Sequence, residues 1–188
     1  MKIALRLVLL ILAVTPLLAW FAVKPVRVVA PTVAGLICPA KFVCVEAAEK
    51  LPEATALYED AVMFARKQVG PLQGNPSVVF CSTKACTENF GLGLRSAVTV
   101  GTLGTIIGPN AWKPYYVRHE LIHHIQGQQF GVLRRIFMPS WLIEGMAYSL
   151  SQDPRPQLAE PWQQYRIQFN EWLTKVGQAN MWQKASHL

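Results

Sequence analysis

His119 and His123 stand four residues apart, and Glu120 directly follows the first of them. On a helix this spacing places both imidazoles on one face, about one turn apart, where their nitrogens can converge on one metal ion. Glu120 is offset along the same surface, so it can take a proton from a water molecule at the metal without being a ligand itself. Leu121 and Ile122 face the other way and anchor the helix in the core. The motif therefore constrains both faces of one helix.

A third metal ligand is needed downstream, because a catalytic metal ion bound by histidines usually has three protein ligands and one open position. The acidic residues that follow the motif before the last helix are Glu144, Asp153 and Glu160. Glu144 lies in the middle of a predicted helix among apolar neighbours, where an ionised carboxylate is costly unless it is paired or metal-bound. Glu144 is therefore the predicted third ligand. An ordinary helix with two histidines, followed by an exposed glutamate, is the alternative that the residues leave open.

The sequences His-Glu-Leu-Ile-His at 119–123 and Pro-Ser-Trp-Leu-Ile-Glu-Gly-Met-Ala at 139–147 resemble the gluzincin metallopeptidases, in particular their small peptidase MA-like members. The resemblance implies that His119, His123 and Glu144 bind zinc and that Glu120 is the catalytic base. It also implies that a strand just before the active helix, here 101–107, lines the cleft and receives an extended peptide. The resemblance says little about residues 38–95.

Several tyrosines compete for a supporting role at this site. Tyr148 lies four residues after Glu144, on the same helical face, and could orient a ligand histidine or donate to the tetrahedral oxyanion. We name Tyr148 as the candidate catalytic residue. Tyr115 lies one turn before His119 and competes for the same role, while Tyr165 and His187 could fold back from the C-terminal helices.

Two further polar residues of the predicted active helix have simpler interpretations. His124 points about 100° away from His123 on a helix, so we expect it beside the site or exposed rather than as a ligand. Arg118 is interpreted as a solvated charge, and a docking site for a substrate carboxylate is the alternative.

The first part of the chain predicts a membrane segment. Residues 7–23 form a run of 17 apolar or neutral residues, which is just long enough to cross a bilayer, and Trp20 stands at its far end where interfacial aromatic residues are common. A cleaved signal peptide is the alternative, but Leu17 occupies the −3 position of the best cleavage site, where a small residue is expected. We therefore expect an uncleaved anchor over 1–24 and an extended, proline-containing tether over 25–37.

All four cysteines lie beyond the apolar segment, within a predicted catalytic domain over 38–188. They form two closely spaced pairs whose spacing differs from that of zinc knuckles, so disulfides in an oxidising compartment explain them best. We predict the local pairs Cys38 with Cys44 and Cys81 with Cys86, among three possible connectivities. An extracytoplasmic domain follows, periplasmic in a bacterium, and four free buried thiols are the alternative.

The charge pattern argues against nucleic acid as a partner. The formal net charge is +7, from 18 basic and 11 acidic residues, but charged residues make up only 15% of the chain. The lysines and arginines are scattered among apolar residues and do not form the single stripe typical of nucleic-acid binders. Attraction to anionic lipid is the better explanation.

Apolar spacing and turn residues predict the remaining elements and the fold class. The predicted elements are a helix over 45–69, strands over 77–81, 96–100 and 104–107, a helix from 110 to 128 or 130, a helix capped by Ser140 and ending near 153, and a helix over 162–176. Together they predict an α+β, zincin-like fold with a small, mainly antiparallel sheet on helices. The large apolar residues of 162–176 are interpreted as core, with an interfacial membrane helix as the alternative.

The expected function is that of a membrane-tethered zinc peptidase that hydrolyses peptide bonds of a peptide or protein substrate. Zinc would polarise the scissile carbonyl, and Glu120 would deprotonate water for the attack. A non-catalytic zinc-binding assembly module at the membrane is the rival interpretation. Loss of Glu120 would be its signature, and Glu120 is present.

Overall fold

The chain folds into helices around one small sheet, and the computed structural model describes residues 2–188. The helices are α1 (Lys2–Ala22), α2 (Leu51–Phe64), α3 (Lys84–Asn89), α4 (Pro114–Phe130), α5 (Val132–Phe137), α6 (Ser140–Leu150), α7 (Trp162–Val176) and α8 (Met181–Ala185). The strands are β1 (Ile37–Ala40), β2 (Val43–Val45), β3 (Val78–Phe80), β4 (Ala97–Val100) and β5 (Gly104–Ile107). The predicted α+β class is confirmed.

The strands form one five-stranded sheet in the order β1-β2-β3-β5-β4. The three inner strands are parallel to one another, while β1 and β4 pair antiparallel at the two edges. The sheet is therefore mixed, and the prediction of a mainly antiparallel sheet is wrong. Parallel neighbours need a long crossover connection, and α2 supplies one between β2 and β3.

Other parts of the chain cover both faces of the sheet. Successive side chains of a strand point to opposite faces, so each central strand contributes to both cores. On β3, Val78 and Phe80 pack into the larger core, which contains the apolar residues of α2, α4 and α6. Val79 points to the other face, where it packs with Val28 and Phe90. One layer of helices thus lies on the face that carries α4, and irregular chain together with α3 covers the opposite face.

Residues 24–36 help to cover that opposite face and do not form the predicted extended tether. Lys24–Val29 is a 3-10 helix, and Val28 within it is only 1% exposed. Arg27 Nη1 donates a hydrogen bond to the carbonyl of Asn89 at 2.7 Å. The segment is therefore attached to the domain by both apolar and polar contacts.

The predicted membrane anchor over 1–24 is unconfirmed. Within residues 2–188, no helix combines the length and the apolar character that crossing a membrane requires.

Two disulfides join neighbouring parts of the chain, and both predicted pairs are confirmed. Cys38–Cys44 links β1 to β2, and Cys81–Cys86 links the end of β3 to α3. Disulfides persist in oxidising surroundings, so they indicate an extracytoplasmic environment for the domain.

The helix predicted over 45–69 is wrong at its start and correct further on. Val43–Val45 is a strand, and α2 begins only at Leu51, after a short 3-10 turn. Pro52 stands in the first turn of α2, where a missing backbone N–H costs nothing. The last turn continues as a π-helix over Ala65–Val69.

Other differences concern short elements and one helix cap. Two six-residue helices, α3 and α5, were not predicted, because so few residues show no clear apolar period. Ser140 is the first residue of α6 and makes no capping hydrogen bond, since Pro139 occupies the N-cap position. The helix over 162–176 is confirmed as α7, and its Phe169 is fully buried in the larger core.

Gly145 allows α7 to approach α6 closely. A methyl group at this position would lie 2.8 Å from Cβ of Phe169 and closer still to the carbonyl oxygen of Tyr165. Both atoms belong to the interior of α7, so neither can move away cheaply. The glycine follows Glu144 directly, and the close approach therefore helps to fix the helix that carries this carboxylate.

We expect Gly145→Ala to lower the free energy of unfolding by about 1–3 kcal/mol, because the added methyl overpacks the contact with α7. Helix propensity alone predicts the opposite sign, a gain of up to about 1 kcal/mol. Denaturant unfolding decides between the two, with Ser140→Ala at the exposed start of the same helix as the control. An unchanged or increased stability of Gly145→Ala would show that the close contact is absent.

Candidate metal centre

The centre of the candidate site is α4, which is buried on most of its sides. Leu121, Ile122 and Ile125 are fully buried in the larger core. His119 and His123 lie on the opposite face and are each 8% exposed. The apolar face thus fixes the helix, and the polar face meets α6.

Three potential ligand atoms converge where α4 meets α6. Nε2 of His119 and Nε2 of His123 are 3.1 Å apart. Oε2 of Glu144 lies 3.7 Å from the first nitrogen and 3.6 Å from the second. The three residues are the group within residues 2–188 that could hold a metal ion, as the sequence predicted.

The donor set and its spacing fit a four-coordinate metal. Zinc–nitrogen and zinc–oxygen bonds of about 2.0–2.2 Å in tetrahedral geometry separate neighbouring ligand atoms by roughly 3.3 Å. The observed separations of 3.1, 3.6 and 3.7 Å lie close to that value. Three protein donors leave a fourth position free for water or a substrate atom.

The electrostatics of the three groups also favour a cation between them. Burial, together with the neighbouring His123, lowers the pKa of His119 to about 3, so its imidazole is neutral and has a lone pair to offer. Burial also acts to lower the pKa of His123, but the nearby carboxylate of Glu144 outweighs it and raises this pKa. The carboxylate thus attracts positive charge to the position that a metal would take.

Gln126 orients His123 and was not predicted. Its Oε1 lies 2.8 Å from Nδ1 of His123, and its Nε2 donates to the carbonyl of Ile143 on α6 at 2.8 Å. With a proton on Nδ1 donated to this amide, Nε2 keeps its lone pair for the metal. The signal in the sequence was weak, because a glutamine three residues after a ligand is ordinary on a helix.

Glu120 projects from α4 towards the edge of the sheet. The residue is 6% exposed, and Thr99 of β4 donates a hydrogen bond to its Oε2 at 2.7 Å. Thr105 of β5 lies 2.9 Å from the same threonine hydroxyl. Burial raises the pKa of Glu120, as expected for a carboxyl that accepts a proton during a reaction. The two threonines were predicted only as strand residues, since β-branched residues in a short run indicate core packing.

The ligand group lies at the floor of an open cleft of about 470 Å³. Tyr148 and Tyr115 both line it, whereas Tyr165 and His187 do not. The ring of Tyr148 packs edge-on against the ring of His119 with 4.4 Å between centres. Burial raises the pKa of Tyr148 to about 12, so its phenol keeps its proton and remains a donor. Tyr115 stacks on its neighbour Tyr116 instead.

Arg118 and His124 of α4 form hydrogen bonds away from the candidate metal centre. Arg118 is not a solvated charge: Nε and Nη2 donate to the two carboxylate oxygens of Asp60 at 2.8 and 2.9 Å, and the pair ties α4 to α2. His124 is buried and hydrogen-bonds Gln128, away from the ligand group. Neither residue lines the cleft.

The strand beside the cleft is β4, not the predicted stretch 101–107. β5 lies between β3 and β4, so both of its edges are already paired. β4 has a free edge, and Ala97, Val98 and Thr99 line the cleft. The assignment of 101–107 as the cleft strand is therefore wrong, because the hairpin returns the chain into the sheet before α4 begins.

Comparison with known proteins adds no assignment: no family model matches the chain, and neither the curated proteins nor the solved structures give a match. The function is therefore inferred from the residues and geometry of the site.

We expect the purified protein to hold about one metal ion per chain, and His119→Ala to lose it, because two of three protein donors do not retain a catalytic metal tightly. Elemental analysis of protein prepared without chelator measures this. His124→Ala is the matched control, since that histidine lies on the same helix but outside the ligand group. Equal metal content in the two variants would exclude His119 as a ligand.

Proposed function

We propose that the chain is a zinc metallopeptidase of the gluzincin type, acting outside the cytoplasm and tethered to the membrane through residues 1–24. One observation carries the proposal: Glu120, a buried carboxyl, lies directly beside a group of two imidazoles and one carboxylate that open into a cleft. Two nitrogen donors and one oxygen donor are a ligand set that zinc commonly uses in hydrolases.

Glu120 is the proposed base. When bound, zinc would act as a Lewis acid that polarises the scissile carbonyl and lowers the pKa of a water molecule. Glu120 takes the proton from the attacking water and passes it to the leaving amine as the C–N bond breaks. The hydrogen bond from Thr99 fixes the carboxyl next to the ligand group, so that the proton transfer needs little reorientation.

Tyr148 and β4 would position the substrate. The phenol of Tyr148 stays protonated and lines the cleft, so it is placed to donate to the oxyanion of the tetrahedral intermediate. The free edge of β4 offers backbone groups to an extended peptide, which would add to the sheet as a further strand. The substrate class that fits this arrangement is a peptide or an extended protein segment.

We expect Glu120→Gln and Glu144→Gln to separate catalysis from metal binding. Glu120→Gln removes the base but no ligand, so zinc content and melting temperature should stay near those of the wild type while hydrolysis falls by about 10²–10⁴. Glu144→Gln removes a ligand, so zinc affinity should fall, and activity with it, in part recoverable by excess metal.

Hydrolysis of a fluorogenic peptide library, measured together with zinc content, checks both variants. Full hydrolysis by Glu120→Gln would contradict the role of the base. Zinc bound by the wild type without hydrolysis of any peptide would favour the zinc-binding assembly module instead.

A further inference from the structure

Arg135 lies on α5, just after α4, and lines the cleft beside the candidate metal centre. Within residues 2–188 it forms no ion pair. Gly131 adopts a left-handed φ of 84° at the end of α4, which allows α5 to begin at once and to run beside the cleft. The backbone N–H of Arg135 donates to the carbonyl of Gly131 at 3.0 Å. The side chain lines the cleft together with Glu120 and Glu144.

The guanidinium of Arg135 keeps one edge unoccupied. Its Nη1 donates to the carbonyl of His123 at 2.9 Å. Among residues 2–188, Nε and Nη2 have no hydrogen-bond partner, and the arginine forms no ion pair. Nε and Nη2 form the pair of parallel donors that matches the two oxygens of a carboxylate.

Neighbouring arginines show how this protein uses the same edge. Nε and Nη2 of Arg118 bind the carboxylate of Asp60, and those of Arg155 bind the carboxylate of Asp153. Arg155, like Arg135, lines the cleft. Arg95, the third arginine of the cleft, donates from this edge to the backbone carbonyls of Leu92 and Gly91. Among the described residues that line the cleft, Arg135 is therefore the arginine whose Nε and Nη2 are both free.

The charge of the cleft favours an anion. Three arginines and three carboxylates line it and cancel formally, so a divalent metal at the ligand group leaves two positive charges in excess. A partly buried cation beside a metal site weakens metal binding by repulsion. A carboxylate from the substrate would relieve this repulsion.

We propose that the free edge of Arg135 binds a carboxylate of the peptide substrate, from an acidic side chain or a C-terminus, and so makes the site selective for acidic peptides. The inference rests on the proposed peptidase function and adds its substrate class. Arg135 acts as a specificity residue: it holds the substrate and takes no part in bond breaking.

The test compares zinc-loaded Glu120→Gln protein, which binds peptides without cleaving them, in three backgrounds: Arg135 intact, Arg135→Gln and Arg134→Gln. The last is a matched control, since Arg134 lies next in the chain, carries the same charge and contacts Ser186 away from the cleft. The probes are peptides that differ only by Glu or Gln at one position, and by a free or amidated C-terminus. Fluorescence anisotropy gives their affinities.

We expect one acidic peptide or free C-terminus to bind about 10-fold or more tightly than its neutral twin, as for a hydrogen-bonded charge. Arg135→Gln should abolish most of this ratio, and Arg134→Gln should leave it unchanged. Equal ratios in all three proteins, equal losses in both arginine variants, or no binding of any peptide would each overturn the inference.

Hydrolysis by the wild-type catalytic site separates this inference from the proposed function. Cleavage of acidic and neutral peptides at equal kcat/KM would contradict the carboxylate subsite but would support the proposed peptidase activity. Selective binding that depends on Arg135, with no cleavage by protein that retains Glu120, would support the subsite and contradict the peptidase.

Discussion

The contact between α4 and α6 is the interaction on which the candidate site depends. His119 and His123 belong to one helix and Glu144 to the other, so the three potential ligand atoms meet only while these helices stay in register. Apolar side chains of both helices share the larger core. The buried hydrogen bond from Gln126 to the carbonyl of Ile143 adds a directional link between the same two helices. A shift of about one ångström would separate the donors beyond the reach of a single ion.

Hydrogen bonds from neighbouring residues fix the buried polar side chains of the candidate site. Thr99 reaches Glu120 from the edge strand, and Gln126 reaches His123 from within the helix. With the proton of Nδ1 donated to Gln126, His123 keeps the lone pair of its Nε2 available for a metal ion. The disulfides hold the other side of the sheet, where Cys44 and Cys81 pack in the second core.

The ligand group could be predicted from the sequence because its determinants are local or chemical. His119 and His123 are linked by helical spacing, and Glu144 stands out as a carboxylate among apolar residues. The disulfide pairs follow from close spacing in the same way. The contacts of Thr99 with Glu120 and of Gln126 with His123 were missed, because Thr99 and Gln126 carry no distinctive pattern of their own. The prediction of a mainly antiparallel sheet is wrong for a related reason: the parallel pairing of β2, β3 and β5 depends on how the chain crosses over, which short apolar runs do not encode.

Anomalous diffraction at the zinc absorption edge, from crystals of the protein grown with zinc, tests the metal centre most directly. We predict one strong peak about 2.0–2.2 Å from Nε2 of His119, Nε2 of His123 and a carboxylate oxygen of Glu144. Glu120 should lie near the peak without bonding to it. A peak bound by other side chains, or no peak at this position in zinc-grown crystals, would contradict the proposed metal centre.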